Sequence, residues 1–368
     1  MTEREAYVAF NLTENVGWVR LHKLMEETGG SAAAAWERYA ADARPQGRAA
    51  DWEGELHRAE RTKSRIVTPA DAEYPAALRE LASPPLALYV VGDAAALSRP
   101  AVAVVGTRHP SVYGENMARR FAAGLARAGW CVVSGLAAGV DAAAHEGALA
   151  GGGTTVGVLG GALDKFFPPE NAKLARRMAE HGGAVVSEFP FGRPPDRQTF
   201  PQRNRVVAAL ARGVLAVEAP RASGTLITCD WARKLGRPLM AVPANLDSKL
   251  SAGCWDLIRG GAGCVTCAED VVARVSAPQA EPPKAAPNIG AADLRVRPPQ
   301  TPAAAPPPET PLTLEEAAVL RHVVSGGVPV DRLIRLTKLS PGKVNSALMG
   351  LRLKGKARFL PGNRVGPA

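Results

Sequence analysis

Ala101-Val-Ala-Val-Val-Gly106-Thr107-Arg108 decides the fold class, together with the loop His109-Pro-Ser-Val-Tyr-Gly114 and the amphipathic stretch from Glu115 to Gly129. The β-branched apolar run predicts a buried strand, the glycine a turn, and the stretch behind it a helix. In this order they present backbone N–H groups and a helix N-terminus to a phosphate. Arg108 adds a forked cation at the carboxyl edge of the strand, where open α/β sheets bind ligands. Neither G-x-G-x-x-G nor GxxxxGK[ST] is present here, so the turn suits a phosphate without a dinucleotide or nucleoside-triphosphate fingerprint.

Outward from this stretch the pattern repeats. Apolar runs at Trp130–Val133, Thr155–Leu159, Ala184–Val186, Val214–Val217 and Pro238–Val242 alternate with helical stretches near 115–128, 139–150, 170–181, 201–211 and 224–235. Continuous apolar strands alternating with helices predict an α/β domain, residues 66–275, whose parallel sheet is covered by helices on both faces. Residues 1–65 predict a small helical (SAM-like) module. Tyr7, Phe10, Leu12, Val16, Val19, Leu21 and Leu24 have helical spacing, Gly29-Gly30 breaks it, and Ser31 caps a run through Trp36 and Tyr39. In residues 276–311, 11 of 36 positions are proline, without apolar periodicity. Such a stretch predicts a semi-extended linker. In residues 312–368, Thr313-Leu-Glu-Glu opens a helix to about Ser325 with a capping box. Val330–Leu336 forms a second helix, and Ser340-Pro341 caps a third. Arg358-Phe-Leu-Pro-Gly-Asn-Arg364-Val reads as a hairpin. Three helices and a hairpin make a winged-helix pattern, whose basic third helix either enters a DNA groove or serves protein contacts.

A net charge of +10 favours nucleic acid or another polyanion as partner. The five cysteines, an odd number, and the lack of a signal peptide or a long apolar run predict a reducing cytoplasm and no membrane span. Cys264-Val-Thr-Cys267 is a single C-x-x-C that lacks the two further ligands of a zinc site, so no metal and no cofactor is expected.

Further phosphate-type turns follow the other strands. Ser134-Gly135 opens a turn before Asp141 and His145, which share a helix face as a dyad or, more simply, as an N-terminal acid beside a hydrogen-bonding histidine. Gly160-Gly161 leads to Lys165, Phe166 and Phe167, a cation and two rings suited to a polynucleotide or, for a ring, to the core. Phe200-Pro201-Gln-Arg203-Asn204-Arg205 places Pro201 at a helix start and two arginines in the first turn, against the helix dipole. That placement argues for an anionic partner, with an ion pair to Glu188 or Glu218 as the rival for one of them. Ser223-Gly224-Thr225 is another turn of this kind. With Gly106, Thr107 and Arg108 these sites are expected to converge on one sheet edge, as a row along a phosphate backbone.

At these residues the chain resembles the DNA-processing protein A family (DprA, also called Smf). Its ordered motifs are VGTR, SGLA-x-G-[IV]-D-x-x-AH, LG-x-G-x-D-x-x-[YF]P-x-EN, SE-[FY]-P, FP-x-RNR, VVEA and SG-[ST]-L-I-T. They correspond to Val105–Arg108, Ser134–His145, Leu159–Asn171, Ser187–Pro190, Phe200–Arg205, Val217–Ala219 and Ser223–Thr228. The resemblance implies a Rossmann-like domain that binds single-stranded DNA, with duplex DNA open. It also implies a homodimer, and a non-enzymatic mediator that helps load RecA during natural transformation. It gives Arg108 and Lys165 to phosphates, Phe166 or Phe167 to a base, and Arg203 and Arg205 to the basic pocket. Three departures stand out: Ala138 where an arginine is common, Val242-Pro243-Ala244 where VPG is usual, and no clear helix-hairpin-helix turn near the N-terminus. The alternatives are a nucleotide sensor and a nucleotide-processing enzyme. Related phosphoribohydrolases carry PGGxGTxxE, but here Thr228 falls at the glutamate. The apolar segment with Trp255, Leu257, Ile258, Val271 and Val272 is the expected dimer surface.

Overall fold

The structure, a computed structural model, describes residues 1–43, 50–277, 312–323, 327–360 and 364–367. Four helices come first: α1 (Glu3–Asn11), α2 (Trp18–Glu27), α3 (Ala32–Ala43) and α4 (Trp52–Arg61). Then come β1 (Arg65–Val67), the short α5 (Ala76–Arg79), β2 (Leu88–Gly92), β3 (Ala101–Val105), α6 (Val112–Arg127), β4 (Cys131–Ser134), α7 (Val140–Ala150) and β5 (Thr155–Val158). The chain continues through α8 (Ala172–Glu180), β6 (Ala184–Ser187), α9 (Thr199–Leu210), β7 (Gly213–Ala216), α10 (Thr225–Lys234), β8 (Leu239–Ala241), α11 (Ala252–Arg259), β9 (Gly263–Cys264) and α12 (Ala268–Ser276).

These strands form one sheet in the order β1-β2-β6-β5-β4-β3-β7-β8-β9. From β6 to β9 every pairing is parallel, while β1 with β2 and β2 with β6 are antiparallel. The parallel sheet expected from the sequence thus carries an antiparallel edge, because β2 returns beside β6 from far away in the chain. The alternating side chains of β3 show why its apolar run is continuous. Ala101, Ala103 and Val105 pack into one core with Val206–Leu210 of α9, whereas Val102 and Val104 face Phe121 and Leu125 of α6 and Ala144 of α7. Both faces of the strand are dry, so neither parity tolerates a polar residue.

The N-terminal helices share core with this sheet. Tyr7 and Phe10 of α1 cluster with Leu21, Ala32, Ala35 and Leu86, and Val8 clusters with Ile66, Tyr89 and Phe191. The described residues up to Ala277 accordingly belong to one compact unit and those from Leu312 onward to another. In the second unit, α13 (Leu314–Leu320), β10 (Val328–Pro329), α14 (Val330–Thr337), α15 (Pro341–Leu353), β11 (Ala357–Leu360) and β12 (Arg364–Pro367) surround Val319, Leu333, Val344, Leu348 and Leu351. This is the expected winged helix, with the Thr313 capping box and the Ser340 cap both formed. α13 is shorter than expected, and Ser325 lies outside the described residues, as does the linker over 278–311. Among the described residues, no helix is long and apolar enough to cross a membrane.

Candidate nucleic-acid interface

β3 is the strand at which the sheet changes direction. α6 carries the chain from β3 to β4 on one side, and α10 carries it from β7 to β8 on the other. Diverging connections leave a crevice at the carboxyl ends of the two central strands. Here the crevice has a volume of about 340 Å³, within the range of ligand pockets. Its lining comes from the β3 loop (Gly106, Thr107, Arg108), the β4 loop and start of α7 (Gly135, Asp141), α9 (Phe200, Arg203, Asn204) and the β7 loop and start of α10 (Ser223, Gly224, Thr225). Four of the five expected turn sites therefore meet at one place.

The loop after β3 is held from below. Glu218, 1% exposed, accepts hydrogen bonds from the Ser111 N–H and the Ser111 hydroxyl, each at 2.8 Å, and its own carbonyl accepts the Thr107 N–H at 2.7 Å. Glu218 thus orients a loop. Gly106 is dictated by contact: a Cβ there would stand 2.5 Å from a Val140 methyl of α7.

Arg108 projects from this loop, exposed, with its guanidinium 4.5 Å from the centroid of the Phe200 ring. Phe200 is in turn 6.3 Å from Phe167, which is 48% exposed. A cation and two rings therefore run along one rim of the cleft, a geometry suited to cation–π contact and to stacking. Phe166 turns the other way, against the cluster of Leu136, Leu159, Leu174 and Met178. Lys165 is exposed beside them, and the Lys165, Phe166 and Phe167 side chains do not line the cleft itself. Phe200, which the sequence shows only as the first residue of the cationic motif, also lines the cleft. Its signal was an aromatic immediately before the Pro201 of a cationic segment.

The floor is polar and buried. Arg203, 4% exposed, donates to the carbonyls of Gly135 and Val158 and, through Nε, to Asn204 Oδ1 at 3.1 Å. Burial pushes its guanidinium down to about 10, against the attraction of Asp141 and together with the like charge of Arg108. Burial likewise raises the Asp141 carboxyl, while Arg203 pulls it back. A Cβ on Gly135 would stand 2.6 Å from Asp141 Oδ2 and 2.7 Å from Arg203 Nη2. The Gly135→Ala variant is expected to lose about 1–3 kcal/mol in urea unfolding, the range for overpacking, and an unchanged midpoint would refute this contact. Ser134 is a buried strand residue that donates to the Val104 carbonyl at 2.7 Å, so it supports the floor without reaching the cleft. At the start of α10, Ser223 bonds the Thr225 hydroxyl and N–H, while Asn204 holds the Gly224 carbonyl at 3.2 Å.

Two expectations are corrected here. Arg205 is no cleft residue: it is 9% exposed and paired with buried Glu188. α9 starts at Thr199, capped by the Asp196 carboxylate, which receives the Gln198 and Thr199 N–H groups at 2.7 and 2.9 Å. This places both arginines beyond the first turn, where the dipole no longer opposes them. The supposed dimer surface is also internal in part, since Leu257 and Val271 are buried in two separate cores.

Asp141 and His145 form no dyad. The Thr155 hydroxyl donates to the Val132 carbonyl at 2.7 Å, so at 2.6 Å it accepts from His145 Nδ1–H, and burial pushes this imidazole down to about 3. Histidine here is a neutral core group. Among the described residues, no three His, Cys, Asp or Glu side chains gather as a metal site, and Cys267 serves as the N-cap of α12.

The family model of the DNA recombination-mediator protein A matches residues 65–276, and that of the DprA winged helix domain matches residues 303–363. The Protein Smf of Synechocystis is 35% identical over 318 residues, which cover 82% of this chain and 79% of the relative. A putative DNA processing protein DprA of Mycobacterium tuberculosis is 44% identical over 225 residues, which cover 58% of this chain and 58% of the relative. The crystal structure of DNA processing protein A from Streptococcus pneumoniae superposes with a TM-score of 0.61 at 34% identity, covering 74% of this chain and 98% of that one. DNA processing protein A from Helicobacter pylori, whose structure concerns its single-stranded DNA binding mode, gives a TM-score of 0.51 at 31% identity and covers 57% of this chain and 94% of its own.

Proposed function

Because the chain belongs to the DNA recombination-mediator protein A family, we propose that its cleft binds single-stranded DNA and that it acts in DNA processing without being an enzyme. The observation that carries this reading is the rim formed by Phe167, Phe200 and Arg108. Stacking on rings is indifferent to sequence and a guanidinium meets a backbone phosphate, which together suit a strand. Lys165 extends the cationic edge, Gly106 and Thr107 position Arg108, and Ser223, Gly224 and Thr225 present hydroxyls and a helix N-terminus to a second phosphate. Gly135, Arg203 and Asn204 form the floor beneath. The helical residues 1–65, the domain 66–275, the linker 276–311 and the winged helix 312–368 are the functional division within this reading. A cytoplasmic homodimer that protects incoming strands and helps load RecA in natural transformation completes it, on the strength of family membership.

The absence of a glutamate at Thr228 and the burial of a neutral His145 support a holding rather than a reacting site. Mobility shifts of the full chain test the reading on single and double strands across a salt series. Single strands are expected to be retained, with log affinity falling against log salt by about 0.7 for each phosphate neutralised. Saturable mononucleotide binding without strand retention overturns it in favour of a nucleotide sensor.

A further inference from the structure

The buried carboxylate of Glu55 takes no part in the cleft, yet it lies directly behind the rim. Glu55 belongs to α4 of the N-terminal helices, is 2% exposed, and accepts the Phe191 N–H at 2.8 Å. The Tyr89 hydroxyl also donates to it, and Asn11 of α1 donates to that hydroxyl at 3.4 Å. Arg58 stands 3.7 Å away with a side chain that is 48% exposed. A buried carboxylate adds little net stability over an apolar side chain of the same size, because its desolvation offsets what its contacts return. What it adds is direction. It fixes one N–H of a loop that the helices otherwise hold by apolar packing.

That loop, residues 188–198, runs from β6 to α9 and braces both rings of the rim. Phe191 packs with Val8 of α1, Ala59 of α4, Tyr89 and, from the loop after β5, Leu163. Beside it the Gly192 N–H donates to Asp164 Oδ1 at 2.8 Å, and the Arg193 carbonyl accepts the Ala162 N–H at 2.9 Å. The two loops pack so closely that a Cβ on Gly161 would stand 2.8 Å from the Pro195 nitrogen. The Ala162 carbonyl in turn accepts the Lys165 N–H at 3.0 Å, just before Phe167. At its other end the same loop supplies Asp196, the cap of α9, whose second residue is Phe200.

We infer that the N-terminal helices position the strand-binding rim, with Glu55 as the positioning residue, an inference that rests on the single-strand reading of this cleft. The helices need touch no DNA for this. They hold Phe191, the Phe191 loop holds the turn over residues 162–165, and that turn presents Lys165 and Phe167. Stacking depends on where a ring stands and how it is tilted. A ring fixed beforehand also loses less freedom when a base arrives.

Fluorescence anisotropy of the full chain with a short oligothymidylate tests this. Glu55→Leu leaves the Phe191 N–H without its acceptor and is expected to bind about fivefold more weakly, within the range of one base–ring contact. Glu55→Gln keeps an acceptor of the same shape and is expected to restore affinity to within about twofold. A double-mutant cycle with Phe167→Ala separates positioning from mere stability. In that background Glu55→Leu is expected to cost less than about twofold, since the ring it positions is gone. If Glu55→Leu does not fold, Asp164→Ala carries the same cycle, because it breaks the link to Gly192 from an exposed position. A loss is expected there although removing an anion by itself favours DNA. Unchanged affinity, or a full loss that persists beside Phe167→Ala, overturns the inference and leaves the single-strand reading intact. Failure of the unaltered chain to retain the strand overturns both.

Discussion

Replacing Arg108 with alanine lowers the affinity of the full chain for single-stranded DNA roughly thirtyfold, the equivalent of the about 2 kcal/mol that a charge-assisted contact contributes. Arg108 is exposed, stacked on Phe200, and held out by a loop that Glu218 fixes from beneath. It therefore reaches a phosphate without rearrangement, and little ordering entropy offsets the contact. The loss is equal for all sequences, and the slope of log affinity against log salt becomes shallower by about 0.7. Arg108→Lys restores part of the slope but less of the affinity, since an ammonium lacks the planar fork that stacks on the ring. Filter binding across a salt series measures both quantities. Unchanged affinity in Arg108→Ala removes the rim from the binding site.

Glu188→Ala acts on the fold instead. Glu188 and Arg205 are paired with side chains only 8% and 11% exposed, and Gln202 adds a hydrogen bond to the carboxylate at 3.3 Å. Removing the acid leaves a guanidinium buried without its counter-charge, which costs about 3–5 kcal/mol of stability. The pair already contains one buried oxygen and one buried nitrogen without a hydrogen bond, Glu188 Oε1 and Arg205 Nη1. Replacing both residues with leucine is accordingly expected to recover most of the loss, because no uncompensated charge then remains. Urea unfolding with matched m-values measures the three proteins. A single-variant loss below about 1 kcal/mol would show that water reaches the pair. Folded Glu188→Ala retains strand affinity, which separates Arg205 from the rim cation.

The strands and helices of the central domain were legible because their apolar period is local: β3 coincides with the run first singled out, Ala101–Val105. The antiparallel edge was not legible, since the pairing of Tyr89 with Ser187 joins residues far apart in sequence. Among site residues, Gly106, Thr107, Arg108, Gly135, Arg203, Asn204, Ser223, Gly224 and Thr225 do line one cleft. Arg205 resembled Arg203 two positions away, yet the two differ in fate. On a helix, a two-residue step turns a side chain to nearly the opposite face. One arginine meets the cleft floor and the other meets Glu188. Phe166 and Phe167 are parted as well, though they are adjacent in a loop: one ring packs inward and its neighbour faces solvent.

The sequence by itself determined that glycine turns follow apolar strands, and hence that phosphate-receptive loops gather at one edge of a parallel sheet. Local chemistry is sufficient for that, since strand period, turn glycine and helix cap are each written in a few adjacent residues. Only the tertiary structure decided which charges face solvent and which are spent inside. Burial and pairing depend on what another part of the chain places opposite: Phe200 beneath Arg108, Glu188 against Arg205, and Asp141 with Arg203 packed so closely on Gly135 that no Cβ fits there.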